Sequence, residues 1–119
     1  MEEQIVDTVQ DEEVIACLLS ERERAMRGDE LGRELFAHVE AIEELADGYA
    51  YRFPAGELWA EKLTAFVGFE RRCCPFATYE LSFAPRQGPV WLRVRGSAAV
   101  KAFWREEFVS LVPPGMPHP

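Results

Sequence analysis

The sequence has few cysteines, a deficit of basic residues and no long apolar run, and each shortage excludes a class of protein. Three cysteines is an odd and low number, unlike the dense framework of a small secreted disulfide domain, so we expect reduced thiols. Lys and Arg total 13 against 21 Asp and Glu, which gives a formal net charge of -8. Because phosphate binding relies on Lys and Arg, we predict no nucleic-acid partner.

Membrane attachment and export are not indicated either. The apolar run VIACLL (residues 14–19) is far shorter than the roughly 18 residues that a membrane span requires. The first residues, MEEQIVDTVQDEEV, lack the positive and apolar regions of a secretory signal. We therefore predict no membrane partner and a cytoplasmic location.

The shortage of histidine and the spacing of the glycines limit the chemistry. The sequence has two histidines, His38 and His118, and no pattern brings either of them to a cysteine or serine. A Ser-His or Cys-His hydrolase is therefore disfavoured. The glycines are isolated and form no phosphate-binding loop, so we predict no nucleotide cofactor. The residues favour no particular catalysed reaction.

The length of 119 residues suits one domain with a real core. We predict an acidic leader over residues 1–13, a single domain over residues 14–112 and a proline-rich tail over residues 113–119. The leader and the tail are both expected to be disordered, and the tail cannot continue a helix because of its prolines.

Hydrophobic periodicity predicts alternating strands and helices. VIACLL reads as a buried strand, and Ser20 with Glu23 forms a capping box that starts a first helix carrying Leu35 and Val39. The later elements are a hairpin turning at Asp47-Gly48, a second helix from about Gly56 to Cys74, a second hairpin with strands TYELSFA and VWLRVR, and a third helix after Gly96-Ser97.

This order of elements predicts an α+β fold, a two-layer sandwich with helices on one face of a mainly antiparallel sheet. The first six elements match the ferredoxin-like βαββαβ arrangement, with an added edge strand and a C-terminal helix. In the added strand, alternation places Val90, Leu92 and Val94 inward and Trp91, Arg93 and Arg95 outward.

The second helix carries the most unusual motif, FERRCCPF (residues 69–76). At about 100° per residue, Leu63 and Phe66 mark the face toward the sheet, Cys73 and Cys74 extend that face, and Glu70 falls near its middle. A carboxylate buried without a partner costs several kcal/mol, so Glu70 should meet an arginine, a hydrogen-bond donor or a metal, or hold its proton. The arginines that could pair with it are Arg22, Arg24 and Arg52.

The first strand adds a third sulfur, although alternation along it allows either face for Cys17. If Cys17 shares the face of Glu70, Cys73 and Cys74, three thiols and a carboxylate converge. Soft sulfur ligands select thiophilic ions, such as zinc, copper(I), and mercury or arsenic species, over magnesium or calcium. We therefore predict a metal site formed by Cys17, Glu70, Cys73 and Cys74.

Two other interpretations remain open. In the first interpretation, the protein is a non-catalytic homodimeric module that meets its partner through the exposed sheet face near Trp91, and the cysteines are core residues. The second is a thiol redox protein, which needs Cys17 within disulfide reach of Cys73 or Cys74. Nucleophilic catalysis is disfavoured because both adjacent cysteines end a helix, where the macrodipole opposes a thiolate.

The segments ERRCCPF, DGYAYRFP and YELSF, with the GPVWLRV strand and the helix that follows, resemble a family of small uncharacterised bacterial proteins. The resemblance covers roughly residues 14–108 and includes a cysteine in the first strand, here Cys17, and the Glu-x-x-Cys-Cys motif of Glu70, Cys73 and Cys74. Some members are associated with heavy-metal resistance. The resemblance implies an association with such ions and no established reaction.

Overall fold

The computed structural model describes residues 34–109 and 111–119. In chain order these contain a 3-10 helix (Phe36–His38), β1 (Ala41–Leu45), β2 (Gly48–Phe53), α1 (Glu57–Cys73), β3 (Thr78–Phe83), β4 (Val90–Arg95) and α2 (Ala98–Phe108). The predicted first strand lies outside the described residues, as does most of the predicted first helix. The ferredoxin-like arrangement depends on both and stays a prediction.

The described strands form one antiparallel sheet in the order β1-β2-β4-β3. The position of β4 differs from the prediction of an added edge strand, because β4 is hydrogen-bonded to β2 on one side and to β3 on the other. Its side chains explain this position. Val90, Leu92 and Val94 are all buried, and a strand with such an apolar face is best placed inside the sheet.

Both helices pack on the same face of this sheet, which confirms the α+β fold and is compatible with a two-layer sandwich. The inner face carries Val90, Leu92 and Val94, as alternation predicts, and Trp91, Arg93 and Arg95 point to the opposite face. The core joins these residues to the apolar side of each helix, with Leu63, Phe66 and Cys73 from α1 and Val100, Trp104 and Phe108 from α2.

The ring of Phe36 lies at the centre of the core and is fully buried. Its centroid is 4.3 Å from that of Phe108, in a stacked arrangement, and 5.7 Å from that of Phe66 in an edge-to-face arrangement. It also meets Tyr51 and Phe53 of β2 edge to face. A 3-10 turn therefore occupies the end of the predicted first helix and inserts one aromatic ring between both helices and the sheet.

The β1–β2 hairpin turns at Ala46 and Asp47, one residue earlier than predicted. Gly48 is the first residue of β2 and pairs with Arg95 of β4. A Cβ atom at this position would lie 1.8 Å from the carbonyl oxygen of Val94. Glycine is required here by the close approach of two strands, and not by the conformation of the turn.

The proline-rich tail was expected to be disordered, and this expectation is wrong. Residues 111–119 fold back over the inner face, where His118 exposes only 7% of its surface. Its ring meets that of Tyr49 at 4.6 Å, and its Nε2 atom lies 2.8 Å from the hydroxyl of Tyr51. Local composition did not predict this because the stabilising contacts come from a distant strand.

No helix in the described ranges has the length and apolar character needed to cross a bilayer.

Candidate metal centre

Helix α1 presents a carboxylate on its buried side. The buried residues of this helix are Leu63, Phe66, Glu70 and Cys73, which repeat at the i, i+3 and i+4 spacings of one helical face. Glu70 exposes 7% of its surface. The prediction that a carboxylate interrupts the apolar face of this helix is confirmed.

The end of α1 brings Cys74 beside Cys73. Pro75 cannot continue the helix and forces the residue before it out of the helical region, and Cys74 adopts φ -129° and ψ 76°. Its N–H still donates a hydrogen bond of 2.7 Å to the carbonyl oxygen of Glu70. With its backbone turned in this way, Cys74 places its Sγ atom 3.3 Å from that of Cys73.

Glu70, Cys73 and Cys74 form a compact group that could hold a metal ion. One ligand atom from each of these buried residues lies within 4.8 Å of the others. Around a tetrahedral zinc ion with Zn–S bonds of about 2.3 Å, neighbouring sulfurs are ~3.8 Å apart. The spacing of the group therefore fits a single ion with small movements of the side chains.

Cys73 and Cys74 are both buried, and Cys73 is disulfide-bonded. This differs from the expectation of reduced thiols, and Cys73 can act as a metal ligand only after reduction. The predicted ligand Cys17 lies outside the described residues.

Tyr79 of β3 forms a hydrogen bond that links the end of α1 to the sheet. Its hydroxyl donates a hydrogen bond of 2.8 Å to the carbonyl oxygen of Cys74 and lies 3.5 Å from that of Glu70. Burial raises the pKa of Tyr79, and the proximity of the acidic groups of Glu70 and Cys74 raises it further, so the phenol remains a neutral donor. Sequence reasoning missed this role. Its one signal was a tyrosine in β3 on the same face of the strand as the apolar residues Leu81 and Phe83.

The arginines near the motif are directed away from the group. Arg71 and Arg72 in the last turn of α1 are exposed, and Arg72 donates to the carbonyl oxygen of Gly68 at 3.1 Å. Arg52 is not the partner that was predicted for Glu70. It lies on the outer face of the sheet, where its Nε atom is 3.3 Å from the carboxylate of Glu40. This contact is an ion pair and does not have the geometry of a hydrogen bond. The other predicted partners, Arg22 and Arg24, lie outside the described residues.

Comparisons of the chain with protein-family models, with curated proteins and with solved structures found no match. The resemblance to small bacterial proteins with the Glu-x-x-Cys-Cys motif therefore stays a prediction. The case for a function depends on the geometry of Glu70, Cys73 and Cys74.

Proposed function

We propose that this protein binds a soft, thiophilic metal or metalloid ion through Cys73, Cys74 and Cys17, with Glu70 as the fourth ligand or as the group that orients the thiols. One observation carries the proposal: the ligand atoms of Glu70, Cys73 and Cys74 lie within 4.8 Å of one another in a buried position. Zinc, mercury and arsenic species are the ions that this donor set favours.

The donor set supports a closed, structural type of site. Three thiolates and one carboxylate would supply the four ligands that zinc takes in a tetrahedral structural site. The negative end of the helix dipole, at the C-terminus of α1, disfavours a thiolate. A bound metal nevertheless deprotonates a coordinating thiol despite the dipole. The resemblance of ERRCCPF to proteins associated with heavy-metal resistance points to the same class of ion. We place the protein in the cytoplasm, where thiols are kept reduced.

Native mass spectrometry of the reduced protein tests the proposal. The protein is incubated separately with Zn(II), Hg(II) and As(III), and the retained ion is read from the intact mass. We expect one ion per chain in the wild type and loss of retention in Cys73→Ser and Cys74→Ser, because each substitution removes a soft ligand.

A matched control separates loss of a ligand from loss of the fold. Ala65→Ser introduces the same hydroxyl on the exposed side of α1 and should retain the ion. Thermal unfolding of each variant shows whether it is folded at the temperature of the measurement. The proposal fails if the reduced wild type retains no ion, or if both cysteine variants retain it as well as the wild type does.

A second candidate function is a homodimeric module that uses the outer face of the sheet. Trp91 is partly exposed there, and the guanidinium of Arg93 lies 5.6 Å from the centre of its ring. Tryptophan and arginine are enriched in the centres of protein interfaces. In this proposal the cysteines are core residues, and their replacement changes stability alone.

Sedimentation velocity over a range of concentrations tests the second candidate. A dimer of wild type that becomes a monomer in Trp91→Ala would support it. Leu58→Ala is a suitable control, because Leu58 is an exposed apolar side chain on α1, away from the outer face. A wild type that sediments as a monomer at every concentration would contradict the proposal.

A further inference from the structure

Residues 111–119 form a strap that leaves the end of α2 and returns to the inner face of the sheet. The chain reverses in a turn closed by a hydrogen bond of 3.1 Å from the N–H of Met116 to the carbonyl oxygen of Pro113. Between them, Pro114 takes the second position of the turn and Gly115, with φ 88°, takes the third, as in a type II turn. The local sequence therefore directs the strap back toward the sheet.

His118 anchors the strap on the inner face. It is buried, its Nε2 atom lies 2.8 Å from the hydroxyl of Tyr51, and its ring meets that of Tyr49. A second hydrogen bond, of 3.3 Å, runs from the Nε atom of Arg105 on α2 to the backbone oxygen of Pro119. The strap contains no helix or strand, so it can leave without breaking a hydrogen bond of the sheet.

The strap covers a polar group that depends on it. Tyr51 is fully buried, and burial raises the pKa of its phenol. Among the described residues, the one hydrogen-bond partner of its hydroxyl is Nε2 of His118. The ring of Tyr51 also meets that of Phe108 edge to face, with centroids 5.3 Å apart. The closed strap therefore completes the core and satisfies the hydroxyl of Tyr51.

The surroundings of His118 oppose a positive charge on its ring. The titratable and charged groups on the elements packed around it are Glu44 of β1, Tyr49 and Tyr51 of β2, and Lys101 and Arg105 of α2. Burial lowers the pKa of His118, and the positive charge of Arg105 lowers it further. The backbone oxygen of Pro119 and the carboxylate of Glu44 act in the opposite direction, but burial has the largest effect and the pKa remains lowered.

We propose that residues 111–119 are a pH-sensitive strap, which lies on the inner face while His118 is neutral and leaves a folded sheet when Nε2 of His118 takes up a proton. Protonation turns Nε2 from an acceptor into a donor, so the hydroxyl of Tyr51 loses its acceptor. It also puts a positive charge on a buried ring beside Arg105. Release of the strap places the charged ring and the hydroxyl in water, which removes both costs.

Linkage gives the direction of the pH dependence. The closed strap holds His118 with a pKa below the ordinary value of 6.5, so the strap is closed above that value and opens as the pH falls through the lowered pKa. Any change that weakens the closed strap moves the midpoint of opening upward, toward 6.5. Opening exposes only the surface under the strap, so it precedes unfolding of the sheet. The proposed metal ligands take no part in it.

Nuclear magnetic resonance of the full chain tests the proposal, with the pH lowered until the ring of His118 is fully protonated. Cross-peaks between the rings of His118 and Tyr51 report the closed strap, and amide exchange in β2 and β4 reports the sheet. We expect the cross-peaks to vanish with the midpoint of His118 protonation while the amides stay protected. Cross-peaks that persist with a protonated ring would overturn the proposal, and so would loss of the strap and the sheet at one midpoint.

Two conservative variants identify the hydrogen bond that closes the strap. Tyr51→Phe removes the hydroxyl and keeps the ring, so the midpoint of opening should rise by about 0.5–1 pH unit. Tyr49→Phe is the matched control, because the hydroxyl of Tyr49 forms no hydrogen bond within the described ranges, and its midpoint should equal that of the wild type. Equal midpoints in both variants would show that the bond between Tyr51 and His118 does not control the strap.

Discussion

The hydroxyl of Tyr79 donates a hydrogen bond of 2.8 Å to the carbonyl oxygen of Cys74. This bond joins β3 to the end of α1, at the point where the helix has stopped and its carbonyl groups lack helical partners. It fixes the backbone of Cys74. The placement of one candidate ligand therefore depends on a strand that supplies no ligand.

Tyr79→Phe removes this bond and keeps the aromatic ring. We expect the free energy of unfolding to fall by about 1 kcal/mol, because the carbonyl oxygen of Cys74 loses its partner. The affinity of the reduced protein for Zn(II) should also fall, since Cys74 is less well positioned. Urea unfolding and a competition titration against a Zn(II) chelator measure the two effects.

Tyr49→Phe is the matched control, because the hydroxyl of Tyr49 forms no hydrogen bond within the part of the chain that the structure describes. It should leave the Zn(II) affinity unchanged. An equal loss of affinity in both variants would show that Tyr79 has no particular role in positioning Cys74.

Glu70→Gln tests the role of the buried carboxylate in the metal site. The substitution keeps the shape of the side chain and removes its charge, so the Zn(II) affinity should fall by about tenfold or more. Glu61→Gln makes the same chemical change at an exposed position of α1 and should leave the affinity unchanged. The same chelator competition measures both. Unchanged binding in Glu70→Gln would remove Glu70 from the ligand set and leave the sulfurs as the basis of the site.

Two glycine substitutions test the close approach of β2 and β4. Gly48→Ala would place a Cβ atom 1.8 Å from the carbonyl oxygen of Val94, so the strands must separate. We expect a loss of about 3 kcal/mol or more in the free energy of unfolding. Gly68→Ala places its Cβ atom in open space on α1 and should stabilise the protein by about 1 kcal/mol through helix propensity. Chemical denaturation measures both, and similar effects of the two substitutions would contradict the proposed role of Gly48.

The buried histidine of the tail predicts a dependence of stability on pH. The Nδ1 atom of His118 lies 3.2 Å from the backbone oxygen of Pro119, which can only accept, so Nδ1 carries a proton. In the neutral ring, Nε2 then accepts a hydrogen bond from the hydroxyl of Tyr51. Burial lowers the pKa of His118 below its ordinary value of 6.5.

A lowered pKa means that the unfolded chain takes up a proton before the folded chain does. The contribution of His118 is thus fully present above the ordinary value of 6.5 and is lost as the pH falls through the lowered pKa of the folded state. Unfolding measured at intervals between about pH 5 and pH 8 should show this decline. His118→Gln should flatten it, and an unchanged slope in that variant would assign the dependence to other groups.

The sequence by itself determined the periodic features of this protein. The 3.6-residue repeat of α1 placed Glu70 and Cys73 on its buried side, because the period follows from backbone geometry alone. The alternation of apolar and polar residues along β4 predicted which side chains lie on its inner and outer faces, for the same reason. The end of α1 at Pro75 was also predictable, because it depends on local sequence alone. The same holds for the start of α2, where the side chain of Ser97 accepts a hydrogen bond of 3.2 Å from the N–H of Val100.

Only the tertiary structure decided which distant residues meet. The internal position of β4, the burial of the tail through Tyr51 and His118, and the bond from Tyr79 to Cys74 all join separate elements. Composition predicted a disordered tail because prolines oppose regular structure, but the docked tail is stabilised by aromatic rings of β2. Contacts of this kind depend on how the elements pack, and a pattern of nearby residues carries no information about them.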